Sequence, residues 1–195
     1  MKTHWRIAAH AFVRSASKVV RYEMEEFPMK RMLTAFCCVA LAAVPALSQA
    51  KKGGSMTDQQ FVDFAAQTDM VEANVGRMAE TSGSAQGVKD MGQMLVTDHT
   101  GDYNQISQVA KTASLTVPTA IDAGHNKMMI DPFTKLKGAA FDRKFAAEMV
   151  AGHTKAIEVY KKEAADATSP DLKSYAQQTL PTLQKHLDAA KALAK

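Results

Sequence analysis

Three histidines stand where apolar residues are due. His99 follows Leu95 by four residues and precedes Ile106 by seven. His153 follows Met149 by four and precedes Tyr160 by seven, and His186 follows Leu183 by three and precedes Ala190 by four. Spacings of three, four and seven return a side chain to one face of an α-helix, so each imidazole takes the core-facing stripe of its own segment. Glu72 lies at the edge of another stripe, with Ala65 and Ala79 a heptad to either side. Imidazole suits Zn, Cu, Fe and Ni, and three imidazoles with a carboxylate could hold one such transition-metal ion. The same groups could instead knit together by hydrogen bonds without metal, since buried polar groups need partners. A single histidine on an apolar face is usually a satisfied core residue; three at one level need a joint explanation. Asp98, Asp102 and Asp142 are the candidate carboxylates for orienting those rings from outside. An exposed surface charge is the preferred reading for Asp98. His125 falls in a connecting segment and carries no expectation.

The elements that must position these groups are helices. The first opens at "SMTDQQFVDFAAQ", capped by Thr57 or Asp58, with Phe61, Phe64, Thr68, Val71, Val75 and Met78 on one stripe. "TSGSAQG" at 81–87 breaks it. The second carries Val88, Met91, Leu95, Ile106, Val109 and Ala113 and fades at Leu115–Pro118. The third begins near Gly138 with Phe141, Phe145, Met149, Ala156, Tyr160 and Ala164. "TSPDL" at 168–172 stops it and starts the fourth, with Ser169 as cap and Pro170 at the first position. The fourth carries Leu172, Ala176, Thr179, Leu183, Ala190 and Leu193, and Pro181 inside it predicts a kink or restart after Thr179. No stretch alternates with period two long enough to be a strand.

Tight links within each helix pair predict two antiparallel hairpins, joined by a long crossover over residues 114–137. That pattern is the ferritin-like antiparallel four-helix bundle, with plain up-down-up-down as runner-up. Counting 1.5 Å per residue, His99 lies roughly 22 Å below the first hairpin turn. His153 and His186 lie about 15 residues either side of the second link, hence level with each other. All three come to mid-height, with Glu72 a turn or so away.

The chain has 195 residues, 46% hydrophobic and 23% charged, with net charge +4 and pI near 9.0. The basic excess belongs to the N-terminal region. From Met29, "MKRMLTAFCCVALAAVPALSQA" has the basic start (Lys30, Arg31), apolar run (Leu33–Leu47) and small-x-small end (Ser48-Gln49-Ala50) of a secretory signal peptide. Residues 1–28 are then expected to be an upstream start-site extension, 29–50 the signal peptide, 51–56 a short linker and 57–194 the helical domain. Removing residues 1–50 takes 7 of 24 basic and 3 of 20 acidic side chains, leaving 17 of each. Both cysteines, Cys37 and Cys38, go with them, so packing alone holds the domain. A neutral domain without interleaved aromatics excludes a nucleic-acid partner, and no transmembrane segment is expected in the mature chain. Export predicts a periplasmic location and leaves room for a protein partner in the envelope.

"FVDFAAQTDMVEANVGRMA", "MGQMLVTDHT", "GAAFDRKF", "VAGHTKAIEVYKKEA" and "YAQQTLPTLQKHLDAAKAL", in this order over about residues 56–194, resemble the bacterial family of domain of unknown function 4142. The matching positions are Glu72, Asp98, His99, Phe141, Asp142, His153, Leu180, Pro181 and His186. The resemblance implies a ferritin-like bundle in an exported protein and assigns no chemistry.

Di-iron bundles need a Glu-x-x-His on each of two helices. Val96, Val150 and Leu183 stand three residues before the histidines, so a dinuclear iron centre is disfavoured. Met91, Met94 and Met149 add thioethers that would suit copper, although methionine at helical spacing is commonly core filler. No nucleophile elbow, phosphate loop or His-Glu-x-x-His appears. The expectation is a non-enzymatic domain holding Zn, Cu or Fe through His99, His153, His186 and Glu72, in envelope metal handling or stress. A structural or interaction protein with a metal-free histidine network is the alternative. A redox enzyme with Tyr103 or Tyr160 beside the metal is a third reading.

Overall fold

The computed structural model describes residues 56–195. The segments expected to be an upstream extension (1–28) and a signal peptide (29–50), and residues 51–55 of the expected linker, lie outside the described residues. Every regular element among these is helical: α1 (Asp58–Ser82), α2 (Gln86–Thr112), α3 (Ala123–His125), a π-helical turn (Asn126–Ile130), a 3-10 turn (Asp131–Phe133), α4 (Gly138–Asp166) and α5 (Pro170–Leu193). No described helix is long and apolar enough to cross a membrane.

Local chemistry sets the ends. Thr57 forms a capping box with Gln60, each side chain accepting the other's backbone N–H. Asp58 reaches instead to the link between α4 and α5, where its carboxylate accepts the N–H groups of Thr168 and Ser169. Ser169 and Pro170 open α5 as expected. α2 stops where Ser114 takes a positive φ of 57° and the Leu115 N–H reaches the Ala110 carbonyl at 2.8 Å.

The restart expected after Thr179 is corrected. Pro181 neither breaks nor restarts its helix, since α5 runs unbroken from Pro170 to Leu193. Pro181 and Gln177, whose carbonyl loses its partner, are both on the exposed face, where water can replace the missing bond. The crossover over residues 114–137 has two parts. Its first part is extended, and its second folds into the short helical turns of residues 123–133.

The extended part is fastened to α1 by two glutamines. The Gln59 amide donates to the Thr116 carbonyl at 2.8 Å and accepts the Thr116 N–H at 3.0 Å. Gln67 donates to the Ala120 carbonyl at 3.0 Å and accepts the Asp122 N–H at 3.2 Å.

α1 packs antiparallel along α2 and α4 along α5, and the hairpins meet with α2 against α5 and α1 against α4. The core falls into two apolar halves. One contains Phe61, Ile106, Tyr160 and Tyr175, the other Val75, Met91, Phe141 and Ala190. Between them lies a buried polar layer of Asp69, Glu72, His99, His153 and His186.

Two glycines set the register of the first hairpin. A Cβ on Gly76 would come within 2.6 Å of the Gly92 carbonyl oxygen, and one on Gly92 within 2.6 Å of the Gly76 oxygen. Only hydrogen side chains let the backbones approach this closely. One heptad from that contact on each helix stand Asp69 and His99, so the crossing fixes where they meet.

Candidate metal centre

The polar layer brings the three predicted histidines together. Their ring centroids are 5.2 Å (His99–His186), 5.2 Å (His153–His186) and 6.0 Å (His99–His153) apart. All three are at most 3% exposed. One nitrogen from each ring falls in a group within 4.8 Å of one another. With metal–nitrogen bonds of about 2.0–2.1 Å, tetrahedral ligation separates nitrogens by about 3.3 Å. Small ring rotations would close this set on one ion.

The remaining nitrogens are held from outside. His153 Nδ1 lies 2.9 Å from the Met149 carbonyl. A carbonyl only accepts, so the proton is on Nδ1 and His153 Nε2 carries a lone pair. His99 Nδ1 lies 2.8 Å from Asp69 Oδ1, and His186 Nε2 lies 2.9 Å from Asp98 Oδ2. With both acids as carboxylates, His99 Nε2 and His186 Nδ1 are left as lone pairs too. His99 Nε2 is buried with no hydrogen-bond partner. His153 Nε2 and His186 Nδ1 are 3.2 Å apart, a separation that two lone pairs cannot share without a proton or a cation between them.

Glu72 is 4% exposed, and its Oε2 has no hydrogen-bond partner. It lines one cavity of about 220 Å³ with His99 and His153. A second opening of about 370 Å³, between α2 and α5, reaches His99 and His186 past Asp98 and Asp102.

The layer is short of positive charge. Burial, with the charges of Asp102 and Glu72, holds the Asp69 carboxyl well above its usual range. Burial raises Glu72, opposed by His99, and raises Asp102 despite its hydrogen bonds from Tyr175 and Thr179. Burial also pushes His153 and His186 down to about 4 and lowers His99, so these imidazoles are neutral at neutral pH. The nearest ion-pair partner from a basic chain is Lys185, 3.7 Å from Asp98 and itself mostly exposed. Neutral imidazoles among carboxylates that burial disfavours as anions are the conditions a metal cation relieves.

The predicted outer carboxylates divide. Asp98 is not the surface charge expected, because it is only 27% exposed and bonds His186. Asp102 hydrogen-bonds no histidine; it accepts from Tyr175 at 2.7 Å and Thr179 at 3.2 Å. Asp142 is not in the layer at all. At the start of α4, it accepts from the Ser84 hydroxyl and the N–H groups of Ser84 and Ala85, tying the link between α1 and α2 to α4. Burial is the largest single influence and pushes Asp142 up, but these bonds and Lys89 together outweigh it and leave its carboxyl below the usual range. Tyr103 donates to the Pro118 carbonyl, and Tyr160 pairs with Tyr175 at 3.1 Å, so neither tyrosine bonds a histidine. The sequence reading missed Asp69, whose signal was an acid on the stripe four residues after Ala65 and four before Ala73, both buried. Met91 and Met149 are buried in the apolar half, as core filler would be.

No curated protein matches the chain. Among solved structures, CopM in the Cu(II)-bound form matches with a TM-score of 0.60 at 16% identity, covering 72% of this chain and 97% of that one. CopM in the Cu(I)-bound form gives 0.59 at 16%, covering 71% and 95%. At that identity the likeness is one of fold. Residues 43–193 match the family described as domain of unknown function DUF4142, and the chain belongs to that family.

Proposed function

We propose that the chain binds one transition-metal ion through His99 Nε2, His153 Nε2 and His186 Nδ1, with the Glu72 carboxylate as fourth donor. The observation that carries this reading is the proton inventory of the layer. With Asp69 and Asp98 as carboxylates, each ring has its outer nitrogen on an acceptor, and the three rings bring one nitrogen each within 4.8 Å of one another. Copper leads the candidates, followed by zinc and iron. Nitrogen-rich sites bind Cu(II) more tightly than the other first-row dications, and the CopM structures of similar fold are Cu(II)-, Cu(I)- and Ag-bound forms. No Glu-x-x-His is present, which argues against a di-iron centre.

The setting proposed for this site is an exported domain, residues 57–194, of the ferritin-like bundle type, cleaved from its signal peptide near Ala50. The long crossover between two helical hairpins supports the bundle type. Metal handling or stress response in the envelope, without catalysis, is the role that follows. The second reading is a metal-free network, favoured by the 3.2 Å His153–His186 contact. If His186 donates from Nδ1, that contact is a hydrogen bond. The pair with Asp98 must then hold one more proton.

The test is elemental analysis of the purified protein, expressed from the whole chain, with a mass spectrum to locate its N-terminus. The expected results are near-stoichiometric copper or zinc and a mass starting near Lys51. The metal should be lost from a His99→Ala, His153→Ala, His186→Ala variant of unchanged helicity. A protein that takes up no Cu, Zn or Fe, and gains no thermal stability from them, refutes the metal reading and leaves the network.

A further inference from the structure

We propose that the crossover carries a second metal site, for a soft monovalent cation of the Cu(I) class, formed by His125 Nε2 and the thioethers of Met128 and Met129. The three residues lie where α3 runs into the π-helical turn, His125 at the end of the one and Met128 and Met129 within the other. All three line the same cavity of about 220 Å³. The same cavity is also lined by Glu72, His99 and His153.

The imidazole is anchored. Asp122 Oδ2 lies 2.7 Å from His125 Nδ1, and Asp122 Oδ1 accepts the His125 backbone N–H at 2.9 Å. The carboxylate therefore anchors the ring by one nitrogen and leaves Nε2 as the donor atom, the arrangement that orients ligating histidines. Core packing does not account for Met128, which is 69% exposed and the exposed large hydrophobic among the described residues. Its backbone belongs to a π-helical turn closed by the Asp131 N–H on the Asn126 carbonyl, a local form common at functional sites. Gln67 holds the preceding segment against α1.

Thioethers are soft ligands and select Cu(I), whereas imidazoles with a carboxylate suit borderline dications. The two sites thus differ in the class of ion they favour. The outer one stands at the mouth of a cavity that leads to the inner one, which makes it an entry site. That role rests on the histidine reading above; the existence of the outer site does not.

Ag(I) is the probe, being soft, monovalent and inert to redox cycling. The protein is labelled at its methionine methyls and titrated after the three buried histidines are changed to alanine. Methyl resonances of Met128 and Met129 are expected to shift and saturate at one equivalent. Met128→Leu with Met129→Leu, which conserves volume, should weaken Ag(I) binding at least tenfold. Shifts confined to other methionines, or an undiminished equivalent in the leucine variant, overturn the proposal. If the triple alanine protein does not fold, the same titration is run on the native chain after incubation with excess Zn(II). Failure to take up Zn(II) would count against the inner site alone, because the Met128 and Met129 resonances still decide the outer one.

Discussion

Asp69 separates the two readings of the polar layer. Asp69→Asn keeps the shape and one hydrogen bond to His99 but removes a carboxylate that burial disfavours. On the metal reading, metal-free stability should change by under about 1 kcal/mol. Metal affinity should fall about 30-fold, within the 10- to 100-fold range for a partner that orients a ligating histidine. At a metal concentration 100 times the native Kd, stabilisation is about 2.7 kcal/mol and drops to about 0.9 kcal/mol in the variant. With an unfolding entropy of roughly 2.1 cal/mol/K per residue over about 140 residues, the metal-induced rise in Tm shrinks from about 9 °C to about 3 °C. Scanning calorimetry with and without Cu(II) or Zn(II) reads both numbers. A variant that keeps the full 9 °C would refute the orienting role of Asp69. One destabilised by several kcal/mol without metal, with affinity unchanged, would favour the network.

The histidines also leave a signature in pH. Folded His153 and His186 refuse protons until about 4, mainly because they are buried. The unfolded chain takes those protons up near 6.5. Their contribution to stability is therefore intact above 6.5 and is lost as pH falls from 6.5 to 4. The facing carboxylates Asp69, Glu72 and Asp102, raised by burial, act with opposite sign and cost stability above the ordinary carboxylate range. Metal-free native protein should thus lose urea stability on acidification relative to a His153→Gln, His186→Gln variant, and parallel curves would refute this. Gly92→Ala places a Cβ 2.6 Å from the Gly76 oxygen. It should cost about 1–3 kcal/mol by overpacking and weaken metal binding from one heptad away. Gly101→Ala in the same helix meets nothing within 4 Å and should stabilise by roughly 0.5–1 kcal/mol. Denaturant midpoints of the two variants moving the same way would contradict the packing account.

What could be read from the sequence followed from periodicity and local chemistry. Stripe positions put His99, His153 and His186 on core faces. Counting residues from the turns put them level, as the two apolar halves on either side require. Caps at Thr57 and Ser169 were legible because their hydrogen bonds close within three residues. Long-range partners were not legible. Asp142 holding the link at Ser84 and Ala85, and Asp98 reaching His186, depend on which helices are neighbours, and spacing within one helix does not encode that. Asp69 was passed over because a lone acid inside an alanine-rich stripe reads as a solvated edge until a partner imidazole is placed opposite it. The short helical turns of the crossover carry no apolar period. Their positioning of His125, Met128 and Met129 emerged only with the cavity they line.

The two glutamines on α1 have a consequence for how this protein can vary in length. A primary amide presents a donor and an acceptor at one end, so Gln59 and Gln67 treat the crossover as one strand treats its neighbour. The rulers differ, with about 1.5 Å per residue along the helix and about 3.3 Å along the extended chain. Eight helical residues between the glutamines span about 12 Å, and four extended residues from Thr116 to Ala120 span about 13 Å. The two spans agree to about 1 Å at that count. One residue inserted between Thr116 and Ala120 throws the second amide out of step, and glutamate at either position would face a carbonyl with no proton to offer. Insertions after Asp131 escape this constraint, so relatives of different length should differ there first.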